Sequence, residues 1–350
     1  MYMDSTNQPT QVGQDTPKLI SFTGNAKDFF GIWIVNLLLS IATLGIYSAW
    51  ATVRTKQYFY GNTSIDGHRF EYLATPMQIL KGRVVAALLL VAYLFCANYF
   101  PVIGLIMALA LTIAAPWLIN QSFKFNMRMT RLRNIRFNFQ GSYGQAFKVF
   151  VLLPILCLLT LYLLTPWALK KIDEYLCNNM QFGDKPFSAK LSTSTYLSAI
   201  LITFLSSLAS IPLIIAIIFT AGGSFENSAN ALFIVVPAYF ACIYLLKAIY
   251  QAIIRNHIFN STTINDVAEL HSDLSPARYA YVEATNILAI GATLGLAYPW
   301  AKIRKTHVLA KASAISLLPT ADSVLDTMDS SESSLGDEAA TLFDVDVSLT

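Results

Sequence analysis

"TLGIYSAWATVRTKQYFYGNTSIDGHRFEY", residues 43–72, passes through three textures in thirty letters. It opens on an apolar corner, Thr43-Leu44-Gly45, that runs to Trp50. A basic, aromatic segment follows with Arg54, Lys56 and Tyr58. Asn62 then introduces "IDGHRFEY", which reads as short strands or turns around Asp66-Gly67 and outside any bilayer. The corner is spelled again as "TLGLAYPWA" at 293–301, and in a more worn form as "TLYLLTPWA" at 160–168.

Composition sets the class. The chain has 350 residues, 55% hydrophobic and 13% charged, whereas a soluble domain carries about 25% charged residues. Apolar runs lie near 29–50, 84–100, 102–120, 147–167, 197–220, 231–246 and 284–300. Several have the ~20-residue length that crosses a hydrocarbon core of about 30 Å. These runs predict an all-α polytopic membrane protein of about seven apolar helices, with short strand-like turns outside the membrane. Residues 1–17 lack the basic and apolar regions of a cleavable signal, so the run from Phe29 is expected to serve as the insertion signal.

The spelling repeats on a larger scale. Residues 22–70 lie over 139–187 without a gap, matching Phe22 with Phe139, Gly24 with Gly141, Trp50 with Trp167, Tyr58 with Tyr175 and Asn62 with Asn179. Residues 36–54 lie over 286–304, matching Asn36 with Asn286, Gly45 with Gly295, Trp50 with Trp300 and Arg54 with Arg304. Apolar bias does not produce shared Asn, Gly, Trp and Arg. The expected organisation is a disordered polar start (1–21), membrane repeat units at 22–138 and 139–262, a partial third unit at 263–320, and an acidic tail at 321–350. An Asn followed by an apolar residue three positions on marks each unit, at Asn62, Asn134, Asn179 and Asn256.

The corners read as interfacial anchors. Gly45 and Gly295 permit a bend, and Pro166 and Pro299 break the helix ladder just before Trp167 and Trp300. Ala49 stands where the other corners have proline, so the first corner is expected to bend differently. Trp50, Trp167 and Trp300 suit the headgroup level, and basic residues follow each. Two topologies remain. Seven spans with the N-terminus outside satisfy the charge rule; this is the preferred arrangement. If the first, fourth and seventh runs turn back at the corner, all 24 Lys and Arg lie inside.

Candidate chemistry is sparse. Asn36 and Asn286 are intramembrane amides that either fix packing or line a pathway. "KFNMRMTRLRNIR", 124–136, reads as an amphipathic interfacial helix whose Lys124, Arg128, Arg131, Arg133 and Arg136 meet anionic headgroups or the tail. The tail carries Asp322, Asp326, Asp329, Glu332, Asp337, Glu338, Asp344 and Asp346 against no Lys or Arg. The four cysteines form no CxxC, and no metal or cofactor is expected. No triad, P-loop or dinucleotide fingerprint points to an enzyme, and a nucleic-acid partner is not expected.

"FTGNAKDFF", the 43–72 stretch, "PMQILKGR", "IRFNFQGSYGQAF" and "GDEAATLFDVDVSL" resemble the YjgN family of bacterial inner-membrane proteins, over about residues 20–350. The resemblance implies a multi-pass protein of the bacterial inner membrane and supplies no catalytic or binding residues. The leading functional expectation is small-solute transport or permeation, from the duplication and the intramembrane Asn. Its rival is a structural protein that contacts lipid or a partner and transports nothing.

Overall fold

The computed structural model describes residues 17–220 and 228–319, together with 321, 324 and 327. The polar start up to residue 16, the 221–227 part of the link between the fifth and sixth runs, and the rest of the acidic tail lie outside the described residues.

The chain begins with β1 (Lys18–Phe22), so the last residues of the expected disordered start are a strand. Helices α1 (Ala26–Ala42) and α2 (Ser48–Gly61) lead to β2 (Thr63–Ile65) and β3 (His68–Tyr72). Then come α3 (Pro76–Tyr99), α4 (Pro101–Arg128), β4 (Thr130–Leu132) and β5 (Ile135–Phe139). Next, α5 (Tyr143–Phe147) runs through a π-helical turn (Lys148–Leu152) into α6 (Leu153–Leu159), and α7 (Thr165–Asn178) returns to β6 (Met180–Phe182) and β7 (Lys185–Ala189). Helices α8 (Thr193–Thr220) and α9 (Ser228–Asn260) are followed by β8 (Thr262–Ile264) and β9 (Ala268–Ser272). Finally α10 (Pro276–Ala292) and α11 (Tyr298–Lys311) reach β10 (Ser313–Leu317).

The ten strands form one closed antiparallel barrel in the order β1-β10-β9-β8-β7-β6-β5-β4-β3-β2. This overturns the expectation of an all-α bundle of about seven apolar helices. The short "strand-like turns" are the organising core, because each three-residue strand pairs with the five-residue strand after it. The first and last strands close the ring, with Lys18 opposite Ile315 and Leu19 opposite Ala314. Closure leaves no unpaired sheet edge.

Strand direction fixes where the helices go. Every five-residue strand from β1 to β9 runs into a helical hairpin, and the chain returns as the antiparallel neighbour. All five hairpins therefore leave from one rim of the barrel. Among the described residues, the opposite rim carries the tight turns, the start of β1 and the segment that follows β10. Asp66-Gly67 and Arg133-Asn134 both have positive φ, at 50° and 79° and at 49° and 65°, as the right-handed twist of a two-residue hairpin demands.

The exit from each strand is also repeated. Three residues after the end of β1, β3, β5 and β9 comes an N-cap: Asn25, Thr75, Ser142 and Ser275. Asn25, Ser142 and Ser275 accept the backbone N–H three residues on, and Thr75 forms a capping box with Gln78. These contacts satisfy helix-start donors that are otherwise orphaned.

The helical pairs come in two lengths. Among the described residues, α3 and α4 are long and apolar enough to cross a membrane, at about 36 and 42 Å for 1.5 Å per residue. Helix α1 is about 25 Å on the same rule, shorter than a hydrocarbon core. The first, fourth and seventh apolar runs do not continue through the corner. They turn back there, since α1 packs along α2 and α10 along α11.

The basic stretch 124–136 is not one helix either. Helix α4 stops at Arg128, and the rest is β4, a turn and the start of β5. Alternation won locally: Thr130, Leu132, Ile135 and Phe137 need one side of a sheet, and two turn residues between the short runs fix the register.

Candidate functional site

The barrel separates polarity by strand alternation. Phe70, Leu132, Phe137, Phe182, Phe187, Ile264, Leu270 and Ile315 point inward and line a cavity of about 400 Å³. Their sequence neighbours point outward: Arg69, Glu71, Arg136 and Glu269 are exposed. Arg131 on the outside of β4 donates from Nε to Glu71 at 3.0 Å and from Nη1 to Asn134 at 2.9 Å. A barrel that crosses a membrane has the reverse arrangement, with an apolar outer band and a polar interior. This barrel is built to stand in water.

The cavity has two unlike walls. Phe137 lies 4.9 Å from Phe182, 6.3 Å from Phe70 and 6.5 Å from Phe187, centroid to centroid. Ile20, Ile65, Ile264, Leu270, Ile315 and Leu317 supply the aliphatic side. At the helical rim the ceiling is made by the last turns of the returning helices, through Tyr60, Met127, Cys177, Ile258 and Phe259. Burial pushes the Cys177 thiol up to about 11, so it lines the space as a neutral group. At the turn rim Ala321 is 1% exposed and packs with Ile135, Phe182, Phe187, Ile264, Val267 and Ala268. Val324 packs against the same cluster, so the first residues of the tail form a floor.

At the far end of the molecule are the corners. Leu44 and Gly45 have φ of 49° and 91°, Leu161 and Tyr162 49° and 64°, Leu294 and Gly295 50° and 96°. The three share one hydrogen-bond pattern, in which Gly45, Tyr162 and Gly295 donate their N–H to Ser40, Cys157 and Ile290 at 2.7, 2.7 and 2.8 Å. This six-to-one closure ends a helix in a left-handed residue. Thr43 and Thr293 staple it further. Each hydroxyl donates to a carbonyl four residues back at 2.7 Å and accepts the N–H four residues on at 2.9 Å.

Each sequence-predicted residue has a definite place. Gly45 and Gly295 are in the hairpin tips, not at an exit to a following span. Pro166 and Pro299 lie in the first turn of the returning helix and start a ladder instead of breaking one. Ala49 takes the same place in α2, and the first corner has the same backbone angles as the last. Trp50, Trp167 and Trp300 sit in that first turn. Asn36 and Asn286 are buried and aim their amides at the carbonyls of Ala51 and Ala301, at 3.5 and 3.2 Å. Each therefore ties the two helices of its own hairpin together.

Asn62 and Asn179 cap the ends of α2 and α7, donating to Tyr58 and Tyr175 at 2.8 and 2.7 Å. Their carbonyls accept from Thr23 and Gln140, fastening the helix end to the strand exit. Asn134 is in a turn, and Asn256 is inside α9, where it holds Ser272 and Leu274. Lys124 and Arg128 stand in the last turns of α4; Arg131, Arg133 and Arg136 belong to the barrel. The structure thus divides the basic cluster between helix and sheet.

The inward Phe and Ile residues are the functional candidates that the sequence reading passed over. Their signal was present in "NTSIDGHRF" and "NNMQFGDKPF", where alternating short runs flank a two-residue turn.

A family described as "Bacterial protein of unknown function (DUF898)" matches residues 17–342. The "Inner membrane protein YjgN" of Escherichia coli O157:H7 is 25% identical over 335 residues, covering 81% of this chain and 84% of that one. The protein of the same name from Salmonella typhimurium is 24% identical over 348 residues, covering 83% and 86%. No solved structure matches the chain.

Proposed function

Because this chain belongs to DUF898, a family of bacterial proteins of unknown function, we propose a role from geometry: a lipid-engaging, multi-pass inner-membrane protein. In this reading the barrel stands in the cytoplasm and sends five helical hairpins into the bilayer from one side.

The observation that carries it is the pairing of a polar-outside barrel with bare apolar hairpins on a single rim. Helix α3 buries none of its residues, and Leu44 and Leu294 at the tips are 95% and 96% exposed. Water does not tolerate apolar surface on that scale, and a hydrocarbon solvent accounts for it. The long α3–α4 pair crosses and returns. The short hairpins enter part-way and turn back. The strands and turns of the barrel carry Lys18, Arg69, Arg131, Arg133, Arg136 and Lys185, and the charge rule supports a cytoplasmic position for it. Lys124 and Arg128, where α4 meets the barrel, are then at headgroup depth.

The five β-α-α-β segments are read as copies of one unit. The sequence offset of a short plus a long segment is what makes them look like a three-helix duplication. Solute permeation is the weaker reading, because Asn36 and Asn286, its main support, spend their amides within their own hairpins. No step here calls for catalysis.

The test is side-specific cysteine labelling in a cysteine-free background. Cysteines at Asp184 and Arg69 are expected to react from the cytoplasmic side alike, and cysteines at Leu161 and Leu294 to resist aqueous reagent from both sides. Labelling of Asp184 and Arg69 from opposite faces would overturn the arrangement.

A further inference from the structure

We infer that the barrel lumen is a binding site for a single alkyl chain of a lipid. The inference rests on the membrane arrangement proposed above and goes beyond it by naming a site and a ligand class.

The first ground is the chemistry of the lining. Of the lining hydroxyls, Tyr60 lies at the helical rim, and Thr130 and Thr262 donate back to helix carbonyls, Asn126 at 3.0 Å and Ile258 at 2.6 Å. A buried water needs two to four polar partners, and the middle of this lumen offers none. Among the described residues the charged side chains of the lining, Asp66 and Arg133, stand at the turn rim, where Asp66 pairs with Lys18 at 2.6 Å. An apolar occupant fits what water does not.

The second ground is size and shape. About 400 Å³ lies within the ~300–1,000 Å³ of ordinary ligand pockets. The space extends from Asp66 and His68 at one rim to Tyr60 and Phe259 at the other. That is the length of a five-residue strand, about 17 Å. A long, narrow, apolar volume suits one extended chain better than a fused-ring or polar solute.

The third ground is access. The ceiling is built from the ends of the returning helices, the same helices that enter the bilayer. The floor is closed by Ala321 and Val324. An alkyl chain is the abundant apolar species at the helical rim. Such a chain belongs either to a free fatty acid or to a phospholipid; the lumen recognises the hydrocarbon, and the experiment separates the sources.

The full chain in lipid nanodiscs is irradiated with two probes in separate arms: a fatty acid and a phospholipid, each with a diazirine near the chain end. Crosslinked peptides are then mapped. Labels on α3 and α4 report bilayer insertion in both arms. Labels on strands carrying Phe137, Phe182 and Leu270 report lumen occupancy, and the arm that yields them identifies the source. Excess unlabelled lipid of the same kind is expected to abolish strand labelling. Ala268→Phe, which fills the lumen, is expected to remove strand labels and keep helix labels. Helix labels without strand labels in either arm, or strand labels that survive both competition and Ala268→Phe, overturn the inference and leave the membrane arrangement standing. Absence of helix labels would instead overturn that arrangement.

Discussion

The third and fifth hairpins, 143–178 and 276–311, have the same backbone plan and opposite interiors. Phe150, Leu153 and Ile172 fill the seam of the third, within an apolar cluster that includes Ala168 and Tyr175. The matching positions of the fifth are Glu283, Asn286 and Lys305. There Lys305 meets Glu283 at 2.6 Å, Tyr244 of α9 donates to the same carboxylate at 2.7 Å, and Arg304 donates to Asn286 at 3.2 Å. Both hairpins nonetheless close through the same corner and return to the same barrel. The geometry is therefore held at the two ends, by the corner and the strands. The seam between them is free to be oily or ionic.

The sharpest way to break that comparison is to unpair the ionic seam. Glu283 is 3% exposed. Lys305→Met leaves its carboxylate with the neutral hydroxyls of Tyr244 and Tyr279 and no cation. Removing one member of a buried pair costs about 3–5 kcal/mol. Lys305 is 37% exposed along its side chain, so roughly 2–4 kcal/mol is expected after solvent screening. The double change Glu283→Phe with Lys305→Ile, which writes the third hairpin's seam into the fifth, should recover most of the loss. Thermal unfolding of the solubilised protein measures both. Equal destabilisation by single and double changes would mean that the seams are not interchangeable.

A smaller effect separates the first and fifth hairpins. Asn286 uses both ends of its amide, but the Oδ1 of Asn36 is buried without a hydrogen-bond partner among the described residues. Asn286→Leu should cost about 1–3 kcal/mol, because it removes the tie to the Ala301 carbonyl and one of the two hydrogen bonds of Arg304, which keeps Thr285. Asn36→Leu should be neutral or stabilising, since it removes an unsatisfied acceptor and copies Leu153 of the third hairpin. A loss at position 36 as large as at 286 would give Asn36 a partner outside the hairpin, and would revive it as a pathway residue.

These contrasts indicate what was legible beforehand. Thr43, Gly45, Trp50 and Asn62 repeat at fixed spacing because the corner and the strand exit impose backbone demands, and such demands fall on particular residue types. The barrel was harder to read. Its three-residue strands show too little alternation to fix a sheet on their own, and the two strands that close it, β1 and β10, lie at opposite ends of the chain. Closure is a property of long-range pairing and leaves no local mark. Hydropathy misled in another way. A run such as 29–50 has the composition of a span, but nothing in its composition distinguishes leaving the bilayer from turning back. The deciding feature is the pair of left-handed residues at 44 and 45. The lumen was missed because Phe70, Phe137 and Phe182 each stand in a short polar segment, and only the pairing of strands distant in sequence gathers them.

The smallest expected effect tests the corner itself. Positions 45, 162 and 295 all have positive φ, and the third hairpin alone places a side chain there. A non-glycine residue in this region costs about 1–2 kcal/mol. Gly295→Ala should therefore destabilise by roughly 1 kcal/mol. Tyr162→Gly relieves the same strain, but glycine loses about 0.5–1 kcal/mol more on ordering, so a net gain of only a few tenths is expected. Leu44, Leu161 and Leu294 are left-handed too, yet none is Gly or Asn. In a water-facing turn Asn would ease that backbone, and Leu294→Asn would be stabilising. At a tip immersed in hydrocarbon the amide has no water to replace, so the substitution should instead be destabilising when unfolding is followed in nanodiscs. A gain there would put the corner in water and remove the reason for its leucines.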